Sequence, residues 1–145
     1  MSLTRPLGAS LNVGCIHRTD IAEFMPAAKS PLRELLQHHR IDKPVQVICL
    51  ASWGEIASNF YRHTTASVLR YSFRAEAGRV SMTAIYPTTR FDVNPPPPAL
   101  YSQSGYGIML IRALTESTWI WNGGVLHVTM TVPFQSSSAL RRGRM

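Results

Sequence analysis

Apolar and polar positions alternate from Ser10 to His17, with Leu11, Val13 and Cys15 on the apolar side, which predicts a first strand. Thr19-Asp20 then offers an N-cap for a helix, and Pro26 is expected to interrupt or restart it. Ser30-Pro31 repeats the start signal, an N-cap followed by proline in the first turn. Leu32, Leu35 and Leu36 share one face of a helix expected to end near Arg40. Asp42-Lys43-Pro44 opens the next element in the same way. From Val45 to His63 the period is helical, with a broad face of Val45, Ile48, Cys49, Ala51, Ser52, Ile56, Ala57 and Phe60.

Residues 67–76 and 79–86 alternate as strands around Ala77-Gly78, which predicts a hairpin. Residues 87–104 carry neither period and include four consecutive prolines, 95–98, so a long loop is expected there. A helix is predicted over 105–117, with Ile108, Leu110, Ile111 and Leu114 apolar. Residues 118–121 and 125–134 read as strands joined by Asn122-Gly123-Gly124. Hairpins clustered beside helices predict an α+β fold. It would be a two-layer sandwich with a mixed, mostly antiparallel sheet and helices on one face, the 45–63 helix against the sheet centre.

Composition narrows this picture. The 145 residues fit one domain, expected over 8–135, followed by a disordered basic tail over 136–145. No apolar run approaches the roughly 18 residues of a membrane span, and no signal peptide is evident, so a cytoplasmic protein is expected. Cys15 and Cys49 both sit in apolar runs and are expected to be buried thiols. The net charge of +7 invites nucleic acid as a partner. However, the basic residues are scattered, and no Lys/Arg block alternates with aromatics. An acidic protein partner accounts for the charge equally well.

Two constellations could carry chemistry. Glu55, Asn59 and His63 are spaced four apart and form one stripe on the 45–63 helix. A carboxylate can accept a proton from an attacking hydroxyl, and an amide oxygen can ligate Mg²⁺. By itself such a stripe is more often a solvated polar face. The second is Gly105-Tyr106-Gly107, at the start of a helix, where backbone N–H groups can approach a phosphate. By itself it is more often a simple turn. His38, His39 and His127 lack partners at metal-ligand spacing and read as ordinary histidines. Trp119 and Trp121, two apart, share a sheet face and read as core.

In this order and separation, Glu55-Ile-Ala-Ser-Asn59-Phe-Tyr-Arg62-His63 resembles the N box of the RsbW/SpoIIAB-type anti-sigma serine kinases, members of the GHKL ATPase superfamily. Gly105-Tyr-Gly107-Ile-Met-Leu110 resembles their G2 box. The resemblance implies a histidine kinase-like ATPase fold that uses ATP and Mg²⁺. Glu55 would be the general base and Asn59 the Mg²⁺ ligand. The nucleotide-side positions would be Asn59, His63, Tyr86, Asp92, Gly105, Gly107 and Leu110, with residues 87–104 as the ATP lid. It further implies a STAS-domain anti-anti-sigma partner, a sigma factor and a possible homodimer.

The G1 box, D-x-G-x-G, is altered in this chain. Its place reads Tyr86-Pro87-Thr88-Thr89-Arg90, followed by Phe91-Asp92. Tyr86 replaces the carboxylate that would bind the adenine amine, and both glycines are lost. The expectation is weak, poorly base-selective nucleotide binding with low or absent kinase activity. A non-catalytic binding module on the same fold, with no nucleotide, stays open as the alternative.

Overall fold

The computed structural model describes residues 10–94 and 106–135. Chain order is β1 (Ser10–His17), α1 (Ile21–His38), α2 (Lys43–His63), β2 (Val68–Glu76), β3 (Arg79–Pro87), α3 (Gly107–Leu114), β4 (Glu116–Asn122) and β5 (Val125–Pro133). The strands form one sheet in the order β1-β2-β3-β5-β4, and every ladder is antiparallel. The helices cover one face, as the sequence predicts. Helix α1 lies against β1 and β2, and α2 lies over the central strands β3 and β5. Helix α3 packs on α2 and touches β4.

Alternation sets the core. Val80, Met82, Ala84 and Tyr86 of β3 and Leu126, Val128, Met130 and Val132 of β5 all face the helices and are buried. They meet Ile56, Ala57 and Phe60 of α2 in one apolar cluster. Both hairpins turn at paired positive-φ residues, Ala77 (52°) with Gly78 (76°), and Gly123 (61°) with Gly124 (79°). Right-twisted strands favour such turns.

Three expectations are corrected. First, α1 is continuous through Pro26 and Pro31. Asp20 caps it, its Oδ1 accepting from the Glu23 N–H at 3.1 Å. The buried stripe Phe24, Ala28, Leu32, Leu35 and Leu36 spans both prolines, so breaking the helix would split one apolar face. Second, β1 presents its other face to the helices. Leu11 and Val13 are exposed, and so is Cys15, while only Cys49 is a buried thiol. Gly14 points inward because Tyr71 lies over it. A Cβ there would fall 2.5 Å from the phenol oxygen.

Third, α3 ends at Leu114, three residues short of the predicted end. Thr115 turns to extended backbone while its hydroxyl donates to the Ile111 carbonyl at 2.8 Å, and β4 begins at once. The first part of the predicted loop, 88–94, is irregular as expected and is anchored, as the next section describes. Its remainder, Gly105 and the expected tail all lie outside the described residues. No helix among the described residues is long and apolar enough to cross a membrane.

Candidate functional site

The stripe on α2 meets the start of α3. Gly107 sits so close to α2 that a Cβ built on it would fall 2.7 Å from Glu55 Oε2 and 3.8 Å from Asn59 Oδ1. Residues 48 and 52 positions apart in the chain are thereby brought to one place. Glu55 and Asn59 are half-buried, and His63 is exposed one turn further on. Beside this contact lies a cleft of about 650 Å³. Asn59, Arg62, His63, Tyr86, Thr88, Thr89, Phe91, Asp92, Gly107 and Ile108 line it. That size suits a small-molecule ligand.

Of the residues singled out from sequence, Asn59, His63, Tyr86, Asp92 and Gly107 thus share one cleft. Glu55 touches its edge through Gly107 and is not among the lining residues. Leu110 lies on α3, 36% exposed, and does not line the cleft. Gly105 lies outside the described residues.

The wall after β3 is held by aromatic contacts that the strand pattern concealed. Phe91 meets Trp121 edge-on at 5.0 Å and Trp119 at 5.9 Å. The Arg90 guanidinium lies 5.6 Å from the Trp121 ring. The Thr88 N–H donates to the Gly124 carbonyl at 3.1 Å. Trp119 and Trp121 do share a face, but part of their work is to hold residues 88–91 against the β4–β5 hairpin. Asp92 turns the chain, its Oδ1 accepting from the Asn94 N–H at 2.8 Å.

Electrostatics divide the cleft. Arg62 and His63, at the C-terminal end of α2, bring a guanidinium and an imidazole to the lining. Tyr86 lies on the buried side, 2% exposed, with its ring edge-on to Phe60 at 5.4 Å. Burial pushes the Tyr86 phenol up to about 12, so it is neutral at physiological pH.

An amide and a carboxylate oxygen near a glycine at a helix start are hard donors that suit Mg²⁺ carried by a phosphate. Among the described residues no group of three or more His, Cys, Asp or Glu could hold a metal by itself. A Mg²⁺ here would therefore share its coordination with the phosphates. The wall formed by Tyr86 and Thr88 offers a neutral phenol and a hydroxyl and no carboxylate, while the Arg90 side chain turns to Trp121 and does not line the cleft.

Gly107 supplies a direct test of the packing. It has no positive φ, so alanine is conformationally allowed, and the nearest obstacle is the mobile end of Glu55. Gly107→Ala is expected to leave unfolding stability within about 1 kcal/mol of the parent, since helix propensity offsets the local shift. It is expected to swing the Glu55 carboxylate aside. Urea unfolding and a crystal structure of the variant check both points. A loss well beyond that range would mean that α3 cannot yield around Glu55.

No protein-family model matches the chain. No curated protein matches it either. Among solved structures it is similar to the crystal structure of the RsbU and RsbW domains of Rv1364c from Mycobacterium tuberculosis, at 18% identity and a TM-score of 0.61. The match covers 89% of this chain and 33% of that one, so this chain spans about a third of its length. At that identity the likeness concerns the fold, and the antiparallel sheet beneath three helices is consistent with an RsbW-like α+β sandwich.

Proposed function

We propose that this chain is a partner-switching regulator, an anti-sigma-factor-like protein that binds a sigma factor, a STAS-domain anti-anti-sigma protein, or both. The observation that carries this reading is the seating of Gly107 on Glu55 and Asn59 beside the cleft, within an RsbW-like fold. In this reading Glu55 is the base that would take the proton of a partner serine. Asn59 would hold Mg²⁺, and the start of α3 would face the phosphates. Bound ATP would supply the transferable phosphoryl group. Asn59 orients what enters and Arg62 adds charge beside it, with Glu55 at the edge of the cleft behind Gly107.

The adenine end weighs against efficient phosphoryl transfer. A buried Tyr86 in place of a carboxylate gives up an adenine contact worth about 1–3 kcal/mol. Nucleotide binding is therefore weak, and kinase output is low or absent. Partner binding is the activity that persists. This favours the non-catalytic member of the two readings.

The test uses the full chain with a candidate STAS-domain protein. Calorimetry should show capture of that partner, unchanged in Glu55→Ala and Asn59→Ala. Incubation with ATP and Mg²⁺ should yield little phosphoserine on the partner. Tight ATP binding with turnover abolished by Glu55→Ala would instead establish a working kinase. Failure to capture any STAS-domain or sigma partner would remove the regulatory reading.

A further inference from the structure

Strand β1 is one edge of the sheet and pairs with β2 alone among the described strands. One bond shows which of its main-chain groups are free. The Arg18 N–H donates to the Ser67 carbonyl at 2.7 Å, and the same register sets Ile16 opposite Leu69 and Gly14 opposite Tyr71. Bonded pairs in an antiparallel ladder recur at every second residue, so the even positions of β1 bond to β2. Leu11, Val13, Cys15 and His17 therefore turn their N–H and C=O groups to the open edge. No other described element bonds to them there.

A groove of about 500 Å³ lies beside this edge, between β1 and α1. Its α1 wall is one exposed stripe, Glu23, Ala27, Ser30 and Glu34, spaced four, three and four apart. The small pair in the middle leaves room, and the glutamates stand at the two ends, about 16 Å apart along the helix axis. Neither glutamate forms an ion pair among the described residues. No described arginine or lysine lines the groove, so on a chain of net charge +7 it is a local reversal of sign. The other side of β1 is apolar, with Leu11 41% and Val13 65% exposed.

A free edge of this kind accepts a further strand, and its two sides decide what that strand carries. Side chains of an added strand face each side at intervals of about 6.6 Å. Those over the groove meet the glutamates, and those on the other side lie beside Leu11 and Val13. Two basic side chains four residues apart, about 13 Å, with a small residue between them, match the stripe. A second copy of β1 matches it less well, because it would set α1 beside α1 and double the glutamates along one groove.

We infer that the free edge of β1 is a docking site for an extended basic segment of a partner protein, added as an antiparallel sixth strand, with arginine or lysine over Glu23 and Glu34 and apolar residues beside Leu11 and Val13. The site needs no nucleotide and does not depend on the partner-switching reading.

The probe is a fluorescent, end-capped hexapeptide, Arg-Val-Ser-Val-Arg-Val, titrated into the full chain at about 50 mM salt and followed by anisotropy. The parent should bind it at least about 10-fold more tightly than the same peptide with glutamate in place of arginine. The double variant Glu23→Gln/Glu34→Gln should weaken binding about 3- to 10-fold, the range of two exposed ion pairs. Position 13 tolerates proline, because its N–H makes no ladder bond and its side chain is exposed. Val13→Pro should lower affinity about 10-fold or more. Methylating the valine amides of the peptide should do the same with the parent protein, while methylating the serine amide should not, since antiparallel pairing turns only the valine N–H groups to β1. Equal binding of the acidic peptide, or no binding of either, overturns the inference. So does affinity unchanged in the double glutamine variant. Binding kept in Val13→Pro or with methylated valines also overturns it, since a charged surface would then act without an added strand. A dimer of the chain that Val13→Pro dissociates gives the edge to a second copy and overturns it as well.

Discussion

Replacing Trp53 with alanine is expected to cost about 3–5 kcal/mol of folding stability. Trp53 is fully buried on α2, at the crossing with α1. Its ring stands edge-on to Phe73 at 4.6 Å and to Tyr71 at 6.4 Å, both on β2. One side chain therefore joins α2 to the sheet. It also joins α2 to α1, because the indole N–H donates to the Ala28 carbonyl at 2.8 Å. That carbonyl lies beside the Ala27 carbonyl, whose helical donor Pro31 removes. The Lys29 side chain lies over neighbouring Gly54, where a Cβ would fall 3.0 Å from its Cε. Collapse into the cavity is thus restricted on both sides. Small domains have total stabilities of about 5–15 kcal/mol, so this loss is a large fraction. Trp53→Phe should cost less, since it keeps most of the packing and forfeits the hydrogen bond. Urea unfolding followed by circular dichroism gives both numbers. A Trp53→Ala loss under about 1 kcal/mol would show that α1 and α2 are held by other contacts.

The same helix pair shows where the sequence is legible and where it is not. Local signals translate directly. The Asp20 cap, the Ala77-Gly78 turn and the Gly123-Gly124 turn each depend on a few neighbouring residues, and each is where the pattern places it. Pro26 and Pro31 are local signals too, but they misdirect. An interior proline costs a helix about 3 kcal/mol, which a buried stripe of five side chains can offset. The facing of β1 fails for a related reason. Leu11, Val13 and Cys15 look like an inner face until Tyr71, on the next strand, claims the space above Gly14.

The candidate site has the same split. The spacing of Glu55, Asn59 and His63 identifies a stripe, and Gly107 identifies a helix start. Their contact is tertiary, across about fifty residues, and no local rule supplies it. The seating of Phe91 on Trp119 and Trp121 is tertiary as well. Alternation shows that the two tryptophans share a face, but not that the loop after β3 is one of the things they cover. Arg62 stands inside the motif yet draws no attention there, because a solvated arginine near a helix end is common. It becomes notable only once the cleft lies beside it.

Arg18 left no signal in the sequence at all, and its removal is the second large loss expected. It lies in the short connection between β1 and α1, and its guanidinium reaches the far end of α2. Nε donates to the Ala66 carbonyl at 2.8 Å, and Nη1 to the Tyr61 carbonyl at 3.0 Å. Nη2 donates to the carbonyls of Phe60 at 3.3 Å and Thr64 at 2.9 Å, with the Thr64 hydroxyl at 3.3 Å. The last carbonyls of a helix lack intrahelical donors and carry its negative dipole end, so a cation there is doubly favoured. The plane also lies over Tyr61 at 4.5 Å and Phe60 at 4.9 Å. Arg18→Ala is expected to cost about 3 kcal/mol, less than the sum of its hydrogen bonds because water can reach some of the freed carbonyls. For a domain of this size that corresponds to roughly 10 °C in melting temperature. Arg18→Lys should recover less than half, since one ammonium cannot match a planar fork spread over four residues. The loss should be uneven. Arg62 and His63 stand on the turn that Arg18 secures, so hydrogen exchange over residues 60–66 should accelerate more than over β3 and β5. Equal stability of the lysine and arginine forms, or uniform exchange across the chain, would show that water rather than Arg18 satisfies the end of α2.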